Sequence, residues 1–159
     1  MLKNIIIEIY KNEAKLNLNF DNTTKIMSKD LEEIRKLLVL GKIHVCIVGI
    51  GRIGLPTALS FANSNLPTIG VDINTNLVNM INSGEFPLKD EPGYDLIFDN
   101  VIKNKIFHAT TELEEAISKS DVIVLSLPTP IDESQTPNYS ALESVCKKLR
   151  SIPSFLKSS

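Results

Sequence analysis

A chain of 159 residues, 43% hydrophobic and 23% charged, has the length and balance of about one globular domain with its own core. The formal net charge is -2 and the two signs are interspersed, which argues against a basic face for nucleic acid or for a membrane surface. No apolar run reaches the roughly 20 residues of a spanning helix, and Glu8 interrupts the N-terminal run without a cleavage site after it. We therefore expect no signal peptide, no membrane contact and a cytoplasmic protein.

Residues 1–41 differ in pattern from the rest and are predicted to form a short N-terminal extension. Apolar and polar residues alternate over residues 16–20, which predicts a strand that could pair with residues 5–10. Asp30 and Glu33 have the spacing of a capping box. Ile34, Leu37 and Leu38 then fall on one apolar face of a predicted helix, which Gly41 ends. The extension carries no recognisable chemistry, so a packing element, an oligomerisation element and a poorly ordered leader all stay open.

From residue 42 onward, short apolar runs alternate with longer amphipathic segments. Strands are predicted at 43–48, 68–71, 106–107 and 121–127, and helices at 52–64, 74–82, 94–103, 112–118 and 140–150. The first and last strands are nearly continuous apolar runs, which is typical of strands buried on both faces of a parallel sheet. Strands separated by helices in this order predict an α/β fold with a doubly wound parallel sheet, incomplete, over residues 42–159.

The most informative motif is the sequence GIGRIG at residues 49–54, between the first strand and the first helix of this region. In a Rossmann-type turn Gly49 would permit the tight bend, Gly51 would let a pyrophosphate approach the backbone, and Gly54 would let the helix pack on the strand. Asp72 ends the next strand, 23 residues after Gly49, near the spacing at which a carboxylate binds the adenosine ribose.

The acidic residue also predicts which dinucleotide would bind. The charge of Asp72 would repel a 2′-phosphate and no arginine follows it directly, so NAD is favoured over NADP. The alternative is a turn whose glycines only pack and whose Asp72 caps the helix that begins near Asn74.

A second loop follows the predicted strand at 121–127. Pro128 and Pro130 would hold it extended and leave the Thr129 hydroxyl as a directed polar group beyond the carboxyl end of a strand. Thr129 could then reach a nicotinamide or a substrate oxygen. The alternative is a strand that is terminated by proline and has no further role.

The two cysteines and two histidines predict no metal site. Cys46 and Cys146 form no CxxC pair and no ligand cluster with the histidines, so reduced thiols are expected. Cys46 falls inside the first strand, where burial would make it inert, and Cys146 falls on the last helix.

Four ordered stretches carry a family resemblance: VGIGRIGLPTALSFANSNLPTIGVDIN, INSGEFPLKDEPGYDLI, HATTELEEAISKSDVIVLSLPTP and TPNYSAL. They resemble the N-terminal, NAD-binding domain of the UDP-glucose/GDP-mannose dehydrogenases, and within them the UDP-N-acetyl-D-mannosamine dehydrogenase branch. Such enzymes oxidise the 6-hydroxyl of a nucleotide-linked sugar to a carboxylate with NAD, which supplies polysaccharide precursors. The EPG and PTP loops favour this family over the hydroxyacid or 6-phosphogluconate dehydrogenases.

The resemblance implies a set of site residues. Gly49, Gly51, Ile53 and Gly54 would line the pyrophosphate turn, Asp72 would bind the adenosine ribose, Thr110 or Thr111 would lie along the cofactor, and Thr129 would lie near the nicotinamide and the reacting carbon. Thr129 is therefore the one catalytic candidate. The EPG loop at residues 91–93 is given a structural role.

The sequence departs from the family pattern in three respects. A lysine often follows the ribose-binding aspartate by four or five residues, where this chain has Asn76 and Leu77, so cofactor affinity could be weaker. The family's PD pair is Pro137-Asn138 here. The third departure is length, since the resemblance implies a nucleophilic cysteine, a lysine and a sugar-binding domain on segments that this chain does not contain.

The expected function is accordingly the NAD-binding portion of a nucleotide-sugar 6-dehydrogenase, which is not catalytic alone. A UDP-linked sugar would be bound only if a C-terminal half were supplied. A homo-oligomer and a complex with a partner chain are both possible. The alternatives are a non-catalytic nucleotide-binding or regulatory module and a decayed gene fragment.

Overall fold

The computed structural model describes residues 26–91, 93–131, 133 and 135–152; the strands predicted between residues 5 and 20 lie outside this part. Four parallel strands form its one sheet: β1 (Val45–Val48), β2 (Thr68–Val71), β3 (Phe107–Thr110) and β4 (Val122–Leu125). Their order is β3-β2-β1-β4, so the chain crosses back over β1 to reach β4.

Helices connect the strands. A 3-10 turn at Ile26–Ser28 precedes α1 (Leu31–Val39), and the others are α2 (Gly54–Asn63), α3 (Thr75–Asn82), α4 (Tyr94–Lys103), α5 (Leu113–Ser118) and α6 (Ser140–Ser151). Asp30 caps α1 by accepting the N–H of Glu33 at 2.8 Å, and Leu37 of the same helix is buried in the larger core cluster. The predicted lead-in helix is therefore confirmed.

Helices cover both faces of the sheet. Alternate residues of β1 enter different clusters, Val45 and Ile47 the larger one and Cys46 and Val48 the smaller one. The larger cluster receives side chains from α1 to α4, whereas the smaller one receives them from α5 and α6. A parallel sheet with a core on each face is the doubly wound, Rossmann-type arrangement that the sequence predicts.

Two strand predictions need correction. The third strand runs over Phe107–Thr110 rather than 106–107, because its parallel register with β2 places Phe107 opposite Thr68 and Thr110 opposite Val71. The strand predicted at 121–127 was expected to be buried, but all four residues of β4 are only half-buried. The reason is its place at the sheet edge, where no further strand of the described chain pairs with it.

The opposite edge of the sheet is covered by a side chain. The amide of Asn82, at the end of α3, accepts the N–H of Ala109 at 2.9 Å and donates to the Ala109 carbonyl at 2.8 Å. The N–H and the carbonyl of Ala109 therefore both have hydrogen-bond partners, as they would if another strand paired with β3. These two bonds stabilise the edge of the sheet.

Candidate functional site

The carboxyl ends of the four strands share one edge of the sheet. β1 lies between β2, which the chain enters next, and β4, which it enters last. The gap between the ends of β1 and β4 is thus the topological switch point, where a crevice for a ligand opens in folds of this kind. Two sequence-predicted loops flank it, the glycine turn after β1 and the loop at 128–130 after β4.

The three glycines of the turn have separable roles. Gly49 has φ +88°, and a Cβ there would lie 2.4 Å from the Ser126 carbonyl oxygen. A Cβ on Gly54 would lie 1.8 Å from the carbonyl oxygen of Gly49. Gly51, by contrast, is exposed, and its Cβ would meet no described atom within 4 Å. Close packing therefore demands two of the glycines, while the third borders open space that suits a pyrophosphate.

Helix α2 begins at the end of this turn, two residues later than predicted. Ile53 is its N-cap residue and gives it no side-chain hydrogen bond, while the N–H of Leu55 donates to the Gly51 carbonyl at 3.0 Å. The first turn of a helix presents N–H groups and a partial positive charge, which favours an anion beside Gly51.

Asp72 is hydrogen-bonded to the glycine turn. One carboxylate oxygen accepts the N–H of Ile50 at 3.1 Å, and the other accepts the N–H of Asn74 at 2.9 Å. Asn74, not Asp72, caps α3, because its side chain accepts from the first turn of that helix. Each carboxylate oxygen has a second acceptor position, so Asp72 can still receive two ribose hydroxyls.

Thr110 and Thr111 lie on the Asp72 side of the crevice. The N–H of Asp72 donates to the Thr110 carbonyl at 3.1 Å, and the Thr110 hydroxyl accepts the N–H of Glu112 at 3.1 Å. The Thr111 hydroxyl is exposed and donates to the Glu112 carboxylate at 3.2 Å. Both hydroxyls therefore have partners at the start of α5.

Thr129 lies on the other side of β1, exposed in the loop after β4. This loop closes on itself, because the N–H of Asn138 donates to the Pro130 carbonyl at 2.8 Å. The Asn138 side chain accepts the N–H of Ser140 at 2.9 Å, at the first residue of α6. The asparagine at this position therefore accepts a hydrogen bond at the start of the helix, which an aspartate can also do.

A charged group at the turn, Arg52, is not among the site residues predicted from the sequence. Arg52 Nη2 donates to the Asp90 carboxylate at 2.7 Å and to the Glu91 carboxylate at 3.1 Å. The hydrogen bond from Arg52 is the largest cause that lowers the pKa of Asp90, and the same pair raises the pKa of Arg52. A cation between the motif glycines was visible in the sequence, but its partners, 38 and 39 residues away, follow only from the fold.

Other kinds of site find no support in the described chain. No group of three or more histidine, cysteine or acidic side chains there could hold a metal ion. Over the same residues, no helix is both long and apolar enough to cross a membrane.

Comparison with known proteins identifies the family. Residues 43–156 match the NAD binding domain of the UDP-glucose/GDP-mannose dehydrogenase family. The chain belongs to this family. It carries the family's NAD-binding domain and NAD is its cofactor, in agreement with the open space at Gly51 and the carboxylate of Asp72.

Individual relatives agree with this assignment. A UDP-N-acetyl-D-mannosamine dehydrogenase of Campylobacter jejuni is 38% identical over 109 residues, which are 68% of this chain and 26% of that protein. A solved UDP-D-ManNAc dehydrogenase of Pyrococcus horikoshii matches with a TM-score of 0.63 and 29% identity, over 69% of this chain and 26% of its own. A solved GDP-mannose dehydrogenase of Pseudomonas aeruginosa matches with a TM-score of 0.62 and 26% identity, over 65% of this chain and 24% of its own. The chain spans about a quarter of the length of these relatives.

Proposed function

We propose that the chain is the NAD-binding portion of a nucleotide-sugar 6-dehydrogenase, which oxidises the 6-hydroxyl of a UDP-linked sugar to a carboxylate. The observation that carries this proposal is the hydrogen bond between Asp72 and Ile50, which fixes a carboxylate beside the open glycine turn. A family match over residues 43–156 supports it, as do relatives named for UDP-N-acetyl-D-mannosamine.

The arrangement of the predicted residues supports a proposed direction for the cofactor across the sheet. We propose that the adenosine ribose binds Asp72, with Thr110 or Thr111 farther along the same side, and that the pyrophosphate lies at Gly51 and the start of α2. The nicotinamide then lies toward Thr129, since β4 is on the opposite side of β1 from β2. Bound NAD supplies the hydride acceptor, and Thr129 is the residue of this chain proposed to lie near the reacting carbon.

The charge of Asp72 is the proposed basis for the preference for NAD. A 2′-phosphate on the adenosine ribose would approach the carboxylate and be repelled by it, and the two residues that follow are the neutral Ile73 and Asn74.

Oxidation of a hydroxyl to a carboxylate takes two successive hydride transfers, and we propose that the nucleophile for the second transfer lies outside the residues of this chain. Cys46 is buried in the sheet, and this burial raises the pKa of its thiol to about 12, so the thiolate is not available. Cys146 is exposed in the middle of α6 and is not part of a loop that follows a strand. We accordingly propose a cytoplasmic protein with a 1–41 extension and a 42–159 NAD-binding unit, which works together with segments that supply the nucleophile.

A complementation assay tests this function. NADH formation from UDP-N-acetylmannosamine and NAD is measured for the chain alone and together with a separately produced C-terminal half of a relative. We expect no turnover alone and turnover in the mixture, which Asp72→Asn reduces. No turnover in either condition would remove the catalytic role. NAD binding without turnover would then indicate a regulatory module, and no binding a decayed fragment.

A further inference from the structure

The segment between α3 and α4 runs to the glycine turn. Near its start, Phe86 packs against Phe98 of α4, with ring centroids 5.3 Å apart. At its end, the N–H of Glu91 donates to the Leu88 carbonyl at 3.0 Å, and the side chains of Asp90 and Glu91 meet Arg52. An aromatic contact at one end and an ion pair at the other thus place two carboxylates beside the start of α2.

Two carboxylates at this place oppose the binding of a dinucleotide. Arg52 directly follows Gly51, whose open side is the proposed position of the pyrophosphate. With Arg52 the three side chains carry a net charge of about -1, and without it about -2, next to a ligand group that is itself doubly negative. Arg52 is 65% exposed, so water and salt screen these interactions but do not remove them.

We propose that Arg52 is a positioning residue that neutralises Asp90 and Glu91, so that the glycine turn can accept the pyrophosphate of the dinucleotide. This inference rests on the proposed NAD site. It assigns the guanidinium to the loop carboxylates, because one of its nitrogens already donates to both of them. Arg52 thereby acts on the cofactor through its acidic neighbours.

A second ion pair in the same segment provides a matched control. Lys89 Nζ and Glu85 Oε1 lie 3.6 Å apart, the two residues are four positions apart in the sequence, and both side chains are exposed. Their pair joins two residues of one segment and involves no residue of the glycine turn. Lys89→Gln therefore removes a cation from the same loop and leaves the hydrogen bonds of Asp90 and Glu91 to Arg52 in place.

Calorimetric titration of the full chain with NAD separates the roles that Arg52 could have. We expect Arg52→Gln to weaken binding about threefold to tenfold at low salt, and less at about 0.5 M salt. Arg52→Lys and Lys89→Gln should stay within about twofold of the unaltered chain, because the first substitution keeps the positive charge and the second removes no hydrogen-bond partner of Asp90 or Glu91. The triple variant Arg52→Gln with Asp90→Asn and Glu91→Gln should recover the original affinity. A triple variant as weak as Arg52→Gln would overturn the proposal in favour of a direct phosphate contact, and an unchanged Arg52→Gln would overturn it altogether.

A measurement without cofactor keeps this test separate from the proposed function. The carboxyl titration of Asp90, followed by NMR in the ligand-free chain, should move to higher pH in Arg52→Gln and not in Lys89→Gln. An unmoved titration would refute the neutralising role. If the unaltered chain binds no NAD while Asp90 shifts as expected, the proposed NAD site fails and the ion pair itself stands.

Discussion

The carboxylate of Asp72 and the N–H of Ile50 are joined by a hydrogen bond of 3.1 Å, although 22 residues separate them. This bond connects the end of β2 to the turn after β1, so the acidic group and the glycine backbone are held together before any ligand arrives. A site held in its binding geometry loses less conformational freedom on binding, which favours affinity.

The glycines of the turn should separate folding from binding. In Gly54→Ala the new Cβ would overlap the Gly49 carbonyl oxygen, and we expect a loss of about 2 kcal/mol or more in the free energy of unfolding. In Gly51→Ala the Cβ enters open space, so stability should change by less than about 1 kcal/mol while NAD affinity falls. Urea denaturation and calorimetry on both variants check this. Equal losses of stability would show that Gly51 is also a packing residue.

Asn82 should matter for stability and not for the cofactor. Asn82→Ala removes two hydrogen bonds to Ala109 and leaves the edge of β3 unpaired, so we expect a cost of about 1 to 3 kcal/mol. Asn79→Ala, at an exposed position of the same helix, is the control and should be nearly neutral. Thermal unfolding with and without NAD measures both effects. A stable Asn82→Ala would mean that water satisfies the strand edge equally well.

The two thiols should differ sharply in reactivity. Because burial raises the pKa of Cys46 to about 12, an alkylating reagent should modify only Cys146 in the folded chain, and Cys146→Ser should leave no reactive thiol. Protonated Cys46 is the form that the fold favours. Its contribution to stability should therefore be complete below the ordinary thiol pKa of about 9 and decline as the pH rises from there toward 12. Rapid modification of Cys46 under native conditions would contradict its burial.

Thr129 should affect only the nicotinamide half of the ligand. We expect Thr129→Val to weaken the binding of NAD about threefold to tenfold, which is the effect of one hydrogen bond. The affinity for ADP-ribose should stay unchanged. Asp72→Asn should weaken both ligands, because both contain the adenosine ribose. Parallel titrations compare the two variants. An equal effect of Thr129→Val on NAD and ADP-ribose would place Thr129 outside the nicotinamide subsite.

Local signals predicted much of the fold. The bounds of β2 and α4 match the sequence prediction, since turn residues and hydrophobic periodicity mark them directly. The Asp30 cap of α1 and the spacing from Gly49 to Asp72 are likewise local or periodic features. Each of these features is set by residues close in the sequence or within one βαβ unit, so a short stretch of sequence is enough to predict it.

What the sequence could not supply depends on contacts between distant segments. The position of β3 is set by its register with β2, and the half-burial of β4 is set by its place at the edge. The packing of Ser126 against Gly49 and the ion pair of Arg52 with Asp90 arise only when the elements assemble. No periodicity encodes such partners.

The most direct measurement of the central claim is a paired calorimetric titration of the chain with NAD and with NADP. The account predicts one NAD bound per chain, with NADP about tenfold or more weaker because its 2′-phosphate meets the carboxylate of Asp72. Asp72→Asn should weaken the binding of NAD and reduce the difference in affinity between NAD and NADP. Absence of NAD binding at millimolar concentration, or equal affinity of the unaltered chain for NAD and NADP, would contradict the account.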